Sequence, residues 1–472
     1  MSTRIERDSL GEKAVPAGAL YGIQTQRAVE NFPISGLRAL PAFTDAVIAI
    51  KRSAALVHRH TGRLDGTLAD AIVRAADEVL AGHHRDQFVV DVFQAGAGTS
   101  HNMNCNEVLA NRANELLGTP RGSYAPVHPN DHVNMAQSTN DVIPTAIRLA
   151  ALTTLPALLR AVESLAECFL AKGRQFDHVL KAGRTHLQDA TPIRLGQEFA
   201  AYGRTLTRHR EKLVEAARWL RALPIGGTAV GTGLNAEPQY PGLLVAQLRT
   251  LTGLDVEEAT DRVQAMQSMG DLVTISGALR AYAIDLNKIA SDIRLLASGP
   301  RTGLAEIRLP PVQPGSSIMP GKVNPSIAEM VNQVCLQVVG FDTTVALASE
   351  AGQLELNVMM PVIAHDLLFA IAILTTATRQ FEIACVAGIE ADEAQCAYWL
   401  ERSPALVTAL APTIGYAAAA RLAQEAVATG RPVKDLIREK GLLAAGDLER
   451  VLDLRAMTDL GVPRGTPLPG AG

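Results

Sequence analysis

Aromatic residues are scarce in this chain of 472 residues, at 4% of the total. A core large enough for this length must then be packed mainly by Ala, Leu, Val and Ile, which suits close helix–helix contact. Cysteine is scarce too. Cys105, Cys168, Cys335, Cys385 and Cys396 are scattered, and no two form a C-x-x-C pair. An odd, unclustered set reads as reduced thiols rather than a disulfide framework. No charge sign dominates: 44 Lys and Arg against 48 Asp and Glu leave a formal net charge of −4. That argues against nucleic-acid or membrane-surface binding, which needs a basic surplus, while leaving room for local anion pockets. The longest uninterrupted apolar run, Leu367–Leu374, is far short of a membrane span. The charged start, Met1–Lys13, lacks the apolar stretch of a secretory signal. Together these absences lead to the expectation of a cytoplasmic protein that engages neither nucleic acid nor membrane.

Proline is absent between Pro241 and Pro300. Inside that gap Leu272, Ile275, Leu279, Tyr282, Leu286, Ile289, Ile293 and Leu296 recur at alternating spacings of three and four. This is a coiled-coil-like seam, closed by the glycine and proline of Ser298-Gly299-Pro300. A second long helix is expected from Asn324-Pro325, with the stripe Ile327, Val331, Val334, Val338, Phe341 and Val345. Long helices are also expected after Val142 and Ile193, despite Pro144 and Pro156, and over most of Val362–Arg402. No run alternates with period two for long enough to build a sheet. The fold class is therefore all-α, with a central bundle of very long helices. We expect three parts: an N-terminal helical domain over 1–138, the long-helix domain over 139–394, and a small helical domain over 395–472 with a frayed Pro/Gly-rich end from Gly461.

Four segments break this pattern with dense small polar residues: Gly96–Asn104, His128–Asp141, Gly183–Asp189 and Gly315–Pro325. Taken singly, each has a bland reading as turn and helix-cap chemistry. Together they supply hydroxyls, amides, Arg and Lys without clustered carboxylates, a donor set suited to a small anion, above all a dicarboxylate. The last segment closes a 27-residue stretch, Gly299–Pro325, that carries six prolines. Loops that long are uncommon and usually either functional or disordered. Its glycines allow backbone approach, and it ends at a helix N-terminus, which favours negative charge. A serine there could act as a base with its alkoxide stabilised. Other motifs fail. Gly315 to Gly321 encloses five residues and Val323 follows Lys322, so this is no Walker A loop, and Gly231-Thr232-Gly233 lacks the third Rossmann glycine. His58, His60, His83 and His84 read as surface histidines, since no ligand spacing supports a metal. Cys105 and Cys335 read as core residues.

Gly315-Ser316-Ser317-Ile318-Met319-Pro320-Gly321-Lys322-Val323-Asn324-Pro325 resembles the signature of the aspartase/fumarase superfamily, and the other segments follow in that family's order. The likeness runs from Glu6-Arg7-Asp8 to about Met457. It implies a three-domain all-helical fold, and a homotetramer whose active sites draw on three subunits. Ala97-Gly98-Thr99-Ser100, Gln137-Ser138-Thr139-Asn140, Asn31-Phe32-Pro33-Ile34 and Ser349-Glu350-Ala351-Gly352-Gln353 are similar to the aspartase branch. His128-Pro129-Asn130-Asp131 is closer to a secondary anion site of fumarases.

The aspartase likeness implies deamination of L-aspartate to fumarate and ammonia. The Cβ proton leaves first, giving an aci-carboxylate with two negative charges, whose stabilisation is the largest catalytic demand. By resemblance, Ser316 takes the proton, and Thr99, Ser138, Thr139 and Ser317 hold the β-carboxylate. Lys322 and Asn324 hold the α-carboxylate, while Asn140, Thr185 and His186 lie near the amino group. Glu329 resembles the acid that pairs with His186 and fixes its tautomer. The Gly/Pro-rich loop closes over substrate. No organic cofactor is implied; activation by a divalent ion stays open, although no ligand cluster for one is legible. Fumarate hydration is the alternative activity, and a non-catalytic protein on the same scaffold is another. Argininosuccinate and adenylosuccinate lyases match the polar loops poorly.

Overall fold

The computed structural model describes residues 2–461. Helices dominate those residues, and the strands form four two-stranded pairings. Past Gly461 the Pro/Gly-rich end lies outside the described residues. Five helices are long: Thr139–Gln175, Leu195–Ala217, Gly270–Leu296, Ser326–Glu350 and Met360–Ala384. The chain divides into two compact units whose boundaries fall within these helices. One takes the residues up to Arg160, His209–Ile284 and Val334–Thr376; the other takes Ala161–Arg208, Asp285–Gln333 and the residues from Ala377 onward.

The three–four seam of Gly270–Leu296 is buried at all eight positions, each at most 7% exposed. A fully buried Leu or Ile contributes roughly 1.5–3 kcal/mol, so packing, more than intrinsic propensity, holds this helix. The second expected helix starts at Ser326, with the Pro325 carbonyl accepting the Glu329 amide. Val331, Val338 and Val345 of its stripe are buried. Thr139–Gln175 passes through Pro144 and Pro156 without ending. The region Val362–Arg402 is broken at Cys385–Asp392, giving Met360–Ala384 and Glu393–Arg402.

Within the first unit, polar ties join the long helices. Fully buried Arg148 donates to Asp271 Oδ2 at 2.8 Å, and Asp342 accepts from Ser276 and Arg280, each at 2.7 Å. In the second unit the few aromatics are concentrated: Phe169 meets Phe199, Tyr202 and Phe381 with ring centroids 5.7–6.2 Å apart. Its last helices, Tyr416–Thr429 and Val433–Lys440, pack through Leu422, Leu436 and Ile437.

Two expectations need correction. The period-two search missed the hairpins Thr3–Asp8/Gly11–Pro16 and Leu180–Thr185/Gln188–Arg194. In the first, Val15 and Glu6 are the buried side chains, so no alternating apolar face exists to be read. The second correction concerns apolar length, which uninterrupted runs understate. By length and composition, Thr139–Gln175, Ser326–Glu350 and Met360–Gly388 are long and apolar enough to cross a bilayer, although the most apolar window of the first is 67% buried within the chain.

Candidate active site

In the first unit, two helix N-termini carry Thr99, Ser138, Thr139 and Asn140. Ser138 and Asp141 make a capping box: the Ser138 hydroxyl accepts the Asn140 amide at 3.2 Å, and Asp141 Oδ1 accepts the Ser138 amide at 2.9 Å. Asp141 Oδ2 accepts the amides of Gly226 and Thr228 at 2.9 and 3.0 Å, and Asn140 Nδ2 donates to the Ala229 carbonyl at 2.8 Å. The glycine-rich 226–233 loop is thereby pinned to this helix start. Desolvation of Asp141 outweighs these amides and pushes its carboxyl up to about 6. The second helix, Thr99–Leu116, follows Gly98, whose φ of +87° suits glycine and where an added Cβ would lie 3.1 Å from Ile143 Cγ1. Asn102 Nδ2 reaches Thr139 Oγ1 at 3.3 Å, bringing the two helix starts together. Thr99 is exposed and Thr139 is 9% exposed.

In the second unit, Thr185 and His186 stand at the tip of the hairpin Leu180–Thr185/Gln188–Arg194. Thr185 pairs with Gln188, so His186-Leu187 is a two-residue turn, with φ of +56° and +60°. Such turns favour Asn-Gly, and L-residues in this region cost roughly 1–2 kcal/mol each. His186 is thus held exposed on a strained turn. The strand behind it is anchored by charge: buried Glu306 takes Lys181 at 3.1 Å and Arg184 at 2.8 Å, and Glu198 takes Lys181 at 2.9 Å.

The signature segment is a loop pinched at its base. The Gly315 amide donates to the Lys322 carbonyl, and Asn324 Nδ2 donates to the Gly315 carbonyl, both at 2.7 Å. Ser316 Oγ accepts the amides of Ile318 at 3.2 Å and Met319 at 3.0 Å. Two amide donors at a hydroxyl oxygen favour its alkoxide. Ser317 and Lys322 are exposed, while Ser316, Asn324 and Glu329 are half-buried.

Thr99, Ser138, Thr139 and Asn140 therefore belong to the first unit, and Thr185, His186, Ser316, Ser317, Lys322, Asn324 and Glu329 to the second. His186 makes no hydrogen bond to Glu329 within the chain. Of His128–Asp131, the residues His128, Pro129 and Asn130 border a cavity of about 540 Å³ that is also lined by Arg7, Arg27, Ser100 and Tyr124 among others. His58 is not a surface residue: it is 1% exposed, donates from Nε2 to the Met135 carbonyl at 2.9 Å and stacks on Tyr240. Cys105 and Cys335 are core residues as expected, and the described residues hold no cluster of three or more metal-ligating side chains.

Sequence reasoning missed the scaffold of this site. Thr99–Leu116 buries Asn102, Asn104, Asn106, Asn111 and Asn114. Three of these amides bond loop backbone: Asn104 to Gln87 and Val89, Asn111 to Leu20 and Gly122, and Asn114 to both groups of Val127. Lys51 was missed as well.

A helical chain with donor-rich helix starts and a serine held by amides has the makings of a lyase acting on a small anion. The family described as Lyase matches residues 11–340, and the pattern described as Fumarase C C-terminus matches 406–459. The chain belongs to the aspartase/fumarase superfamily of lyases. It is 49% identical to the aspartate ammonia-lyase of Bacillus subtilis over 459 residues, covering 97% of each chain. It is also 50% identical to a class II fumarate hydratase of Halobacterium salinarum over 463 residues, covering 98% of each. Among solved structures, a fumarate lyase:delta crystallin from Brucella melitensis bound to cobalt superposes with a TM-score of 0.93 at 49% identity, covering 97% of this chain and all of that one. A class II fumarase from Schistosoma mansoni gives 0.94 at 37% identity, covering 97% of this chain and 99% of that one.

Proposed function

We propose that the chain is an aspartate ammonia-lyase that converts L-aspartate reversibly to fumarate and ammonia. The observation that carries this reading is the Gly315–Pro325 loop, whose Ser316 oxygen already accepts two backbone amides. In the proposed reaction the Ser316 alkoxide, favoured by these two amides, removes the Cβ proton and becomes the hydroxyl. The charge then passes to the β-carboxylate, held by Thr99, Ser138, Thr139 and Ser317. Ser138 and Thr139 oxygens accept hydrogen bonds from Asn140 and Asn102, which leaves each hydroxyl proton to donate to that carboxylate. Lys322 and Asn324 take the α-carboxylate. Asn140, Thr185 and His186 face the ammonium group, with Glu329 as the partner of His186; the aci-carboxylate's electron pair returns to form the Cα–Cβ double bond as the Cα–N bond breaks and nitrogen leaves as ammonia. No step calls on an organic cofactor.

The proposal extends to a cytoplasmic homotetramer with sites shared among three subunits, and to the three-part division at 138/139 and 394/395. Large apolar side chains left exposed on Ser326–Glu350, Leu336 at 65% and Leu347 at 61%, fit burial against other copies. Fumarate hydration is the second reading, favoured by the 50% identity to the Halobacterium salinarum enzyme. Overall identity does not separate the two activities; Thr139 and Ser100 favour the first.

Purified protein offered L-aspartate and L-malate separately, with fumarate followed by its ultraviolet absorbance, tests the assignment. Fumarate from aspartate alone, reduced at least about 100-fold in Ser316→Ala, supports it. Fumarate from malate alone makes the chain a fumarase.

A further inference from the structure

Two lysines of this chain are buried to within 1% of full burial, and they are treated oppositely. Lys181 lies between two carboxylates, Glu198 and Glu306, and its charge is neutralised in place. Lys51, on the helix Pro41–His60, has no bonded carboxylate. Its Nζ donates to a neutral acceptor, Asn134 Oδ1, at 2.7 Å. Asp141 is near enough to act on it electrostatically, but the Asp141 oxygens are taken by the amides of Ser138, Gly226 and Thr228. Cys105 also faces Lys51 and has its own thiol pushed up to about 12 by burial. A buried ammonium with no carboxylate bonded to it is expensive to keep, and burial pulls the Lys51 pKa down to about 7. An anion arriving nearby would relieve this cost.

The hydrogen bonds lead from Lys51 to the donor cluster. Asn134 Oδ1 accepts from Lys51 and also from Asn102 Nδ2, the latter at 3.3 Å. The same Asn102 nitrogen donates to Thr139 Oγ1 at 3.3 Å. Asn134 Nδ2 holds the carbonyl of Gln137, the residue before Ser138, at 3.1 Å. Asn102 is 1% exposed and its Oδ1 has no partner, so this amide serves as a donor alone. All of these residues lie in the first unit.

We propose that Lys51 is a positioning residue: its buried ammonium, acting through Asn134 and Asn102, orients the Thr139 hydroxyl toward the substrate carboxylate that gains a second negative charge. This rests on the reading of Thr139 as a carboxylate donor. The effect is differential, because an ammonium behind a donor favours a dianion over a monoanion, and the arriving dianion in turn favours the ammonium over the neutral amine. Lys51 touches no substrate atom in this scheme.

The test compares two ligands. Succinate mimics the ground-state dicarboxylate. The nitronate of 3-nitropropionate carries its extra charge on two oxygens, as an aci-carboxylate does. Calorimetric affinities for both are measured on the wild-type protein, Lys51→Met, Lys51→Gln and Asn102→Ala, alongside kcat and KM. The expected result is that Lys51→Met and Lys51→Gln weaken nitronate at least about tenfold more than succinate, ~1.4 kcal/mol of selectivity. Their kcat falls by a similar factor and KM changes by less than about threefold. Asn102→Ala, which cuts the link but keeps the charge, loses part of that selectivity and carries the test if the Lys51 variants do not fold. Equal weakening of both ligands, or no change, overturns the proposal, as does failure of the wild-type protein to prefer the nitronate. A wild-type protein that makes no fumarate from aspartate counts against the functional reading alone, since the ligand comparison still decides the role of Lys51.

Discussion

A methyl group added at Gly315 has a calculable consequence. The Cβ of Gly315→Ala would lie 2.6 Å from the Lys322 carbonyl oxygen and 2.8 Å from the Asn324 amide nitrogen. Both are backbone atoms and cannot swing aside. To reach an ordinary contact of about 3.4 Å the two strands of the loop base must part by roughly 0.8 Å, which stretches both 2.7 Å hydrogen bonds of the pinch toward 3.5 Å, the limit for such bonds. Each is worth about 0.5–1.5 kcal/mol, so the closed loop loses about 1–3 kcal/mol. At ~1.4 kcal/mol per decade, that leaves about 5- to 150-fold fewer loops with Ser316 in place. The expected result is a fall of that size in kcat/KM for fumarate formation. The melting temperature should move by less than about 2 °C, because Ser317–Val323 is exposed and adds little to a core. Gly321→Ala is the control: Gly321 has φ +80° but no atom within 4 Å of an added Cβ, so backbone strain of about 1–2 kcal/mol is the whole effect. Wild-type kcat/KM in Gly315→Ala would refute the reasoning. So would a drop of many degrees in melting temperature, which would make the loop part of the core.

Glu78 gives a pH prediction. Hydrogen bonds from Arg112 hold its carboxyl at about 2, with His84 assisting. The folded pKa lies below the unfolded value of 4.5, so the stabilisation is fully present above pH 4.5 and is lost as pH falls toward 2. Denaturant midpoints should decline over that window, less steeply in Arg112→Gln; an unchanged slope in the variant would reject the assignment. The thiols give another. Cys105, Cys335, Cys385 and Cys396 are buried, whereas Cys168 is half-buried. A chromogenic disulfide reagent should titrate at most one thiol quickly in the native protein and all five in denaturant; two or more fast native thiols would contradict the packing described above.

Legibility followed the range of the interactions. The Gly270–Leu296 seam could be read because each apolar residue meets the core at a spacing fixed by the helix itself. The signature loop could be read because its glycines, prolines and small polar residues form one contiguous run, Gly315–Pro325, that a single stretch of sequence displays in full. The hairpin carrying His186 could not. Its turn uses His186-Leu187 at positive φ, where sequence rules expect Asn-Gly, and its strand Leu180–Thr185 carries three consecutive buried residues at Lys181–Gly183. What holds it is Glu306, more than a hundred residues away in sequence. Lys51 was equally silent, because a lysine on an amphipathic helix reads as a solvated one, and only its distance to Asn134 says otherwise.

The donor residues had two readings in the sequence, helix cap and substrate ligand, and the geometry is compatible with both at once. A capping hydroxyl uses an oxygen lone pair to accept an amide, as Ser138 does from Asn140. Its hydrogen is not consumed by the cap and stays available to a carboxylate. The cap also fixes the hydroxyl's position before any ligand arrives, so less ordering is left for binding to accomplish. Ser316 repeats the arrangement with two amides on its oxygen, and there the same bonds favour loss of the proton. Replacing Ser138 with Ala would thus remove a cap and a ligand together, whereas Ser138→Asp would keep the cap while setting a carboxylate against the substrate's own. Comparing the two variants separates the cap from the ligand: loss of stability in Ser138→Ala belongs to the cap, and the loss of dicarboxylate binding common to both belongs to the hydroxyl proton.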